Sequence, residues 1–391
     1  MDKNIQIEKI MEQKHLDFKN RINLGGYYTP SDYVNIVWEM IDRHITPETI
    51  ILDSACGYGN FLNNHVKNVK IGCDLDKTAV NIARQNNIRA VILHQNSLIN
   101  INRAKFKINH TDQLCIIGNP PYNDKNSIIR RDIKSFKCDI DKDIKTRDLG
   151  ISFLLSYNKL KADTICVLHP LSYLIKKSNF NLLKNFTKNY KLSNGLIINS
   201  ATFQQTSKST PFPIIIACYK RNINGMDYNY IYNFKFKTID NKSFKLADFD
   251  YITKYIKKYP SKHNRLDENS VFFWTIRDIN ALKRNRTFVE KFNKNTIVIN
   301  KNKLDYYIYI DVFKRYSDII PYYFGNCDIM INNALFNQYK EYFLLDSITN
   351  NKSLEKHMAK EIKINKDNNR TDIKNNIKKY FHSILKEHYV R

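Results

Sequence analysis

The first 220 residues alternate short apolar runs with amphipathic stretches. The runs "TIILD", "VKIGCD", "AVILH" and "QLCIIGN" are rich in apolar and β-branched residues, and each ends in a polar turn. The first is followed by the glycine-containing "GYGNFLNNHV", which predicts a turn and a helix start, and the second by "KTAVNIARQN", which predicts an amphipathic helix. This alternation predicts βαβ units and a parallel sheet covered by helices.

The alternation of predicted strands and helices continues and ends near Lys220. "LGISFLLSYNKLK" predicts a helix and "DTICVLHPLSYL" a strand, while "NGLIINSATF" and "FPIIIACYK" flank a polar turn and predict a closing pair of strands. We therefore expect a Rossmann-like, doubly wound and mostly parallel α/β sheet in this part of the chain.

Beyond Arg221 the pattern changes, and we predict a domain boundary there, with residues 1–221 forming the first domain and 222–391 the second. "NINGMDYNYIYNFKFK" alternates aromatic with polar residues and predicts a half-exposed strand. Near the end, Ile373, Ile377, Phe381 and Ile384 recur at helical intervals and predict an amphipathic helix.

The charge composition of the chain predicts a polyanionic partner. The chain has 391 residues, which favours two domains, and its 63 Lys and Arg against 38 Asp and Glu give a formal charge of +25. An AT-rich coding sequence would raise Glu together with Lys, so the imbalance favours a basic, nucleic-acid-binding surface.

Cysteine and histidine usage predicts neither disulfides nor a catalytic metal. The seven cysteines form no C-x-x-C pair, which indicates a reducing compartment, and no two histidines form an H-x-x-x-H pair. The N-terminus is charged without an apolar core, and no run approaches the roughly 20 apolar residues of a membrane span. We expect a soluble, cytoplasmic protein without a membrane partner.

The stretch "ILDSACGYGNFL" has the features of a nucleotide-binding turn. Asp53 ends an apolar run, and Gly57 and Gly59 let the backbone pass close to a ligand. Asp74 follows 21 residues after Asp53, at the distance where a carboxylate accepts hydrogen bonds from ribose hydroxyls. The three-glycine dinucleotide fingerprint is absent, which favours a smaller adenosine-containing ligand over NAD.

The stretch "GNPPYN" suits the alkylation of an aromatic amine. Such an amine is a poor nucleophile because its lone pair is delocalised into the ring, so its two hydrogens need acceptors. Asn119 offers a side-chain oxygen and Pro120 a carbonyl, held by the fixed φ angles of Pro120 and Pro121. Tyr122 offers a flat face for stacking, which is worth roughly 1–3 kcal/mol per base in single-stranded complexes.

With these motifs, the first 220 residues or so resemble the S-adenosylmethionine-dependent DNA adenine-N6 methyltransferases whose target recognition domain follows the catalytic motifs. The resemblance implies a class I methyltransferase fold with a C-terminal α+β target recognition domain, and S-adenosyl-L-methionine as cofactor. "GGYYTP" is similar to the family's leading motif, "LDSACGYGNFL" to its glycine loop and "HQNSL" to its adenine-binding motif. The implied cofactor-binding residues are Tyr28, Thr29, Pro30, Asp53, Ala55, Gly57, Gly59, Asp74, Asn96 and Asn119.

Two positions depart from the family pattern. Ser54 stands where proline is frequent, and Asn96 stands where the adenine-binding Asp is common, although an amide oxygen can also accept from the cofactor's exocyclic amine. "SATFQQTSKSTPFPIIIACYK" resembles the late motif whose aromatic residue stacks on the extruded base, with Phe203 as the candidate and Phe212 as its rival.

The resemblance implies that the enzyme flips an adenine out of double-stranded DNA and that its N6 attacks the sulfonium methyl directly, with Asn119, Pro120, Pro121 and Tyr122 as the catalytic residues. We expect phosphate contacts from the loop of residues 123–148 and from the basic cluster of the second domain, namely Arg130, Arg131, Arg277, Lys283, Arg284 and Arg286. We expect a monomer acting as a solitary methylase or beside a separate restriction endonuclease.

Three alternatives remain open from the sequence. A protein glutamine methyltransferase also uses N-P-P-Y, but usually has a helical domain in front and lacks a large basic C-terminal domain. RNA adenine-N6 methylation uses the same amine chemistry. A nucleic-acid-binding protein without catalysis is disfavoured by the intact Asn119 to Tyr122.

Overall fold

The computed structural model describes residues 29–122, 139–203, 210–261, 266, 270–358 and 370–390. The chain divides into two compact units, one ending at Ser243 and the other beginning at Phe244. The first unit therefore continues beyond Arg221, and the functional boundary expected at Arg221 stays a prediction.

The first unit contains a large mixed sheet. Its main strands are β1 (Ile50–Asp53), β2 (Lys70–Asp74), β3 (Val91–His94), β4 (Leu114–Gly118), β5 (Thr164–Pro170), β6 (Tyr190–Asn199) and β7 (Pro213–Arg221). Their order is 3-2-1-4-5-7-6, with the short strands β8 (Phe236–Thr238) and β9 (Ser243–Phe244) following β6 at the edge. Strands β1 to β5 are parallel neighbours, whereas β7 runs antiparallel to β5 and β6. The sequence prediction of a mostly parallel, doubly wound sheet with a closing strand pair is confirmed.

The described helices of this unit are α1 (Ser31–Ile41), α2 (Lys77–Asn86), α3 (Leu149–Lys159), α4 (Ser172–Ile175), α5 (Lys177–Leu182), α6 (Lys184–Thr187) and α7 (Tyr228–Asn233). Asp76 caps α2 by accepting from Thr78 N and Ala79 N, and Asp148 caps α3 by accepting from Gly150 N. These carboxylates satisfy backbone donors that a helix start leaves free.

Two local predictions in the first unit were wrong. The glycine loop is followed only by a 3₁₀ turn, Asn60–Leu62, after which the backbone of Asn63 leaves helical values, so the α-helix predicted to start there is absent. The predicted half-exposed strand in "NINGMDYNYIYNFKFK" contains α7 and the three-residue β8 instead. Asp227 accepts a hydrogen bond from Tyr230 N and caps α7, and this local cap outweighs the alternating pattern.

The second unit combines helices with short strands. Its strands are β10 (Asp250–Tyr251), β11 (Phe272–Trp274), β12 (Phe288–Val289), β13 (Thr296–Val298) and β14 (Met330–Ile331). Its helices are α8 (Ile279–Arg284), α9 (Leu304–Arg315), α10 (Asn333–Asn350), α11 (Lys352–Met358) and α12 (Arg370–Leu385). None of the helices within the described ranges is long and apolar enough to span a membrane.

An aromatic cluster from α9, α10 and α12 forms the core of the second unit. The ring of Tyr309 stacks on Phe343 with centroids 5.3 Å apart and meets Tyr380 edge-on. On α12, Ile377 and Phe381 are buried, which confirms the amphipathic helix predicted there. Large aromatic side chains supply much buried area from few residues, so they can hold together a unit whose strands are short.

Candidate active site

Four of the predicted site residues come together at one edge of the sheet. Asp53 ends β1, Asp74 ends β2, Asn96 follows β3 and Asn119 follows β4. These strands are parallel neighbours in the order 3-2-1-4, so their carboxyl ends lie side by side. Ligands of doubly wound sheets bind outside this end of the strands.

Asp53 is a buried carboxylate with spare acceptor capacity. Its side chain is 2% exposed; Oδ1 accepts from Ala55 N at 3.1 Å, while the buried Oδ2 has no hydrogen-bond partner among the described residues. Burial raises the pKa of this carboxyl to about 8, and the charge of Asp74 adds to that rise. A cationic or hydrogen-bond-donating ligand would relieve both the desolvation and the unpaired oxygen.

Gly118 is required beside Asp53. It has a φ of +135°, and a Cβ at this position would lie 2.6 Å from Asp53 Oδ1. A side chain would therefore both strain the backbone and displace the carboxylate. The glycine lets the residue that follows, Asn119, begin directly beside Asp53.

Asp74 shapes the glycine loop. Its Oδ2 accepts from Gly57 N at 2.8 Å and its Oδ1 from Asp76 N at 2.9 Å, while burial raises its pKa. Gly57 and Gly59 have φ values of +52° and +83°, so the loop depends on glycine at both positions. The predicted ribose acceptor is thus also the residue that holds the loop.

Ser54, the first departure from the family pattern, has a defined structural role. Its buried Oγ donates to Tyr157 Oη at 3.1 Å, across 103 residues of sequence, and its carbonyl accepts from Ser97 Oγ at 2.5 Å. The turn after Asp53 is therefore tied to α3 and to the turn after β3. No local pattern in the sequence indicated the Tyr157 contact.

Asn96, the second departure, uses its amide to organise its own turn. Oδ1 accepts from Leu98 N at 2.9 Å, and Nδ2 donates to Asp139 O at 2.9 Å. An amide oxygen has two lone pairs, so a contact with an adenine amine stays compatible with this arrangement. The adenine-binding role of Asn96 stays a prediction.

Asn119 has its amide oriented by Thr29. Nδ2 donates to Thr29 Oγ1 at 3.1 Å, and the opposite atom, Oδ1, is buried and has no partner within the described part of the chain. Thr29 is itself buried, directly before Pro30 and α1. The carboxamide therefore directs an acceptor toward the space at the strand end.

Tyr122, three residues after Asn119, is 7% exposed and lies against the first turn of α3. That turn is held by Asp148, which caps α3 and accepts a hydrogen bond from the Tyr173 hydroxyl. Tyr173 stacks on His169, with ring centroids 5.3 Å apart. His169 also contacts the Tyr219 hydroxyl at 2.7 Å, and burial lowers its pKa to about 4.

Phe203 is buried in the first unit. It is 1% exposed and packs on Tyr33 of α1, with centroids 6.0 Å apart. Its rival Phe212 is half-exposed beside Ser200, whose Oγ accepts from Phe212 N. Stacking of Phe203 on an extruded base would require it to leave Tyr33, so the assignment between the two residues stays a prediction.

Only some of the remaining predicted residues lie in the described part of the chain. Tyr28, Arg130 and Arg131 lie outside the described residues. In the second unit, Arg277 precedes α8 and Arg286 follows it, while Lys283 and Arg284 occupy its last turn. Arg277, Arg284 and Arg286 are exposed, whereas Lys283 is half-buried, and burial lowers its pKa.

Residues 14–186 match the N-6 DNA Methylase family model. No curated protein matches the chain. The match confirms, for these residues, the predicted methyltransferase class and S-adenosylmethionine as the cofactor of that class. Together with the strand order, it confirms the class I methyltransferase fold.

Three solved structures are similar to this chain at low identity. A protein assigned as the modification subunit of a type I restriction enzyme, from Vibrio vulnificus YJ016, has 18% identity and a TM-score of 0.42, with 60% of this chain and 50% of that chain covered. A protein assigned to the class I S-adenosylmethionine-dependent methyltransferases, from Listeria monocytogenes, has 17% identity and a TM-score of 0.40, with 57% and 68% covered. TrmN from Thermus thermophilus has 14% identity and a TM-score of 0.32, with 49% of each chain covered. The chain thus spans half the length of the Vibrio protein.

The residues at the strand ends fit S-adenosylmethionine. Asp53 Oδ2 at the end of β1 is a buried acceptor without a partner in the described ranges, and Asn60 Oδ1 next to the glycine loop is a second. The cofactor carries an ammonium group, a sulfonium charge and ribose hydroxyls, all of which suit an edge rich in acceptors. Within the described residues, no group of three or more His, Cys, Asp or Glu could hold a metal ion.

Proposed function

We propose that this protein is a site-specific DNA methyltransferase that transfers a methyl group from S-adenosylmethionine to N6 of adenine. The single observation that carries the proposal is the Asn119 carboxamide. Thr29 occupies its nitrogen, and its buried oxygen has no partner in the described ranges at the end of β4. An acceptor placed in this way suits an amine hydrogen of the target base.

The cofactor supplies the electrophilic methyl group, and the chain's residues bind and orient the two reactants. Asp53, Ala55, Gly57 and Gly59 would hold the methionine end together with Thr29 and Pro30, as the resemblance implies. Asp74 would accept from the ribose hydroxyls with the lone pairs that its two backbone donors leave free. Asn96 would accept from the adenine amine of the cofactor.

At the target base, Asn119 Oδ1 and the Pro120 carbonyl accept the two N6 hydrogens. This draws electron density toward N6 and holds it in line for attack. The two prolines limit the motion of the Pro120 carbonyl because their φ angles are fixed. Tyr122 stacks on one face of a base flipped out of the duplex, and Phe203 or Phe212 covers the other.

We further propose that the second unit recognises the DNA sequence. Its exposed Arg277, Arg284 and Arg286 surround the short helix α8, and no described residue forms an ion pair with them. Exposed cations grouped in this way suit phosphate contacts. The enzyme would act as a monomer, alone or beside a separate restriction endonuclease.

The decisive experiment incubates the purified chain with S-adenosylmethionine carrying a deuterated methyl group and, in parallel, with double-stranded plasmid DNA, total RNA or a protein extract. Digested products are analysed by mass spectrometry. The expected result is deuterated N6-methyladenine in DNA alone, located by single-molecule sequencing at one short motif.

The matched control is Asn119→Ala, which we expect to lower the transfer rate by a factor of about 10² to 10³, while cofactor affinity by calorimetry stays within twofold. Label in RNA adenine or in protein glutamine, with none in DNA, would replace the DNA proposal by one of those activities. Loss of cofactor binding in the variant would mean that Asn119 serves the cofactor and not the target base.

A further inference from the structure

One face of α3 contacts both halves of the candidate site. Gly150, in its first turn, lies against Tyr122, and Tyr157, two turns later, bonds to Ser54 beside Asp53. Residues seven apart lie on the same face of an α-helix. The sequence predicted this helix but assigned it no part in the site.

Gly150 leaves the room that Tyr122 occupies. A Cβ at residue 150 would lie 3.0 Å from Tyr122 Cβ, 2.6 Å from the Tyr173 hydroxyl oxygen and 3.1 Å from Tyr173 Cε2. The glycine thus has a packing reason at this position, because a methyl group could be accommodated only if one of the two tyrosines moved.

Tyr173 has little freedom to move. Its hydroxyl donates to Asp148 Oδ1, the same oxygen that accepts from Gly150 N and caps α3. Its ring is 1% exposed and stacks on the buried His169. The strain from a side chain at residue 150 would therefore fall on Tyr122, at the far side of the contact.

We propose that Gly150 is a positioning residue for Tyr122: the first turn of α3, held by the Asp148–Tyr173 hydrogen bond, is the wall that sets where the stacking ring lies. The inference rests on the proposed function for its consequence, namely that the position of this wall determines how well the target base is held. Its structural part concerns the free protein alone.

The structural part is tested by ¹⁹F NMR with 3-fluorotyrosine incorporated only at position 122. Gly150→Ala is expected to shift this resonance or to split it into two environments. The matched control is Gly195→Ala on β6, where the one close approach of a Cβ would be to the flexible end of Ile215, with Cδ1 at 2.8 Å, while Phe234 Cε1 at 3.7 Å is an ordinary contact. The Tyr122 resonance should stay in place in this variant.

A second variant covers the case in which Gly150→Ala does not fold. Tyr173→Phe adds no atoms and removes the hydroxyl bonded to Asp148, so it loosens the wall without a clash. It is expected to broaden or shift the same resonance. An unchanged signal in every folded variant would overturn the proposal.

The functional part is tested with the methylation assay. Gly150→Ala should raise KM for DNA about tenfold while the dissociation constant of S-adenosylmethionine stays within twofold, since base stacking is the interaction it disturbs. A fall in kcat with KM unchanged would overturn the assignment to base positioning. If the wild-type chain methylates no DNA, the proposed function fails, while the NMR measurement still decides whether Gly150 positions Tyr122.

Discussion

Asp53 in the first unit and Asp311 in the second are buried to the same extent, each with 2% of its surface exposed, yet their surroundings differ. Asp53 accepts one backbone hydrogen bond and keeps one oxygen without a partner among described residues. Asp311 accepts from four side chains, namely Thr287, Arg315, Ser347 and Asn351. Arg315 in turn also pairs with Asp346 at 2.7 Å.

The difference separates a carboxylate satisfied within the fold from a carboxyl group that is a candidate for ligand binding. A buried charge is costly unless donors surround it, so the complete set around Asp311 accounts for that residue within its own unit. Asp53 has burial without compensation, and burial raises its pKa to about 8. Strongly shifted groups at a strand end are typical of ligand sites.

The largest expected effect on stability is at Asp311, the carboxylate that is surrounded by donors. Asp311→Asn removes the charge that pairs with Arg315 and replaces one acceptor oxygen by an NH2 group, which would face donors instead of accepting from them. We expect a loss of about 3 kcal/mol in the free energy of unfolding of the second unit, measured by calorimetry. A loss below about 1 kcal/mol would show that Asp346 alone satisfies Arg315 and that the network contributes little.

Asp53→Asn should instead raise the free energy of unfolding, by an amount that depends on pH. The folded pKa of about 8 lies above the ordinary value of 3.8, so between these values the folded protein binds a proton that the unfolded chain has released. The stability contribution of the Asp53 proton is therefore present at low pH and is lost as pH rises toward 8. Because Asn cannot ionise, the variant should be more stable than the wild type at pH 8, and the difference should shrink to nearly zero at pH 4.

Thermal unfolding across this pH range measures the difference. Asp74, whose pKa burial also raises, is present in both proteins, so the effect of its burial is common to both. A stability difference that is constant with pH would remove the interpretation of Asp53 as an uncompensated charge.

The Ser54–Tyr157 pair allows a second comparison within the first unit. Both of its buried hydroxyl groups have a hydrogen-bond partner, whereas the neighbouring Asp53 keeps one oxygen without a partner among the described residues. Ser54→Ala and Tyr157→Phe should each cost about 1 kcal/mol of stability, and a double-mutant cycle should assign about 1 kcal/mol to the hydrogen bond. Cofactor affinity, measured by calorimetry, should fall with each variant. Additive effects would mean that the 3.1 Å contact contributes nothing of its own.

The smallest effect on stability is expected at the exposed cations of the second unit. Arg284→Ala should leave the free energy of unfolding within about 0.5 kcal/mol. If Arg284 contacts a phosphate, the slope of log K for DNA against log salt should fall by about 1. An unchanged slope would mean that Arg284 does not contact the DNA. The control is Glu290→Ala, which removes an exposed acidic side chain from the same unit.

The alternating pattern of the first 220 residues was enough to predict the sheet, α3 and the closing strand pair. The turn after each strand likewise placed Asp53, Asp74, Asn96 and Asn119 at one edge, because the carboxyl ends of parallel neighbours must lie together. In the second unit, regular spacing predicted α12. In the first unit, the aromatic–polar alternation after Arg221 concealed α7, which the Asp227 cap begins. Neighbouring residues in the sequence were therefore enough to predict the local secondary structure.

The contacts that orient the site depended on the tertiary structure. Thr29 bonds to Asn119 across 90 residues and Ser54 to Tyr157 across 103, and neither pair leaves a periodic signal in the sequence. The burial of Phe203 on Tyr33, the wall behind Tyr122 and the four donors around Asp311 likewise depend on which elements become neighbours. The sequence by itself determined which residues end each strand, and only the packing of distant elements decided which of their polar atoms acquire partners and which remain for a ligand.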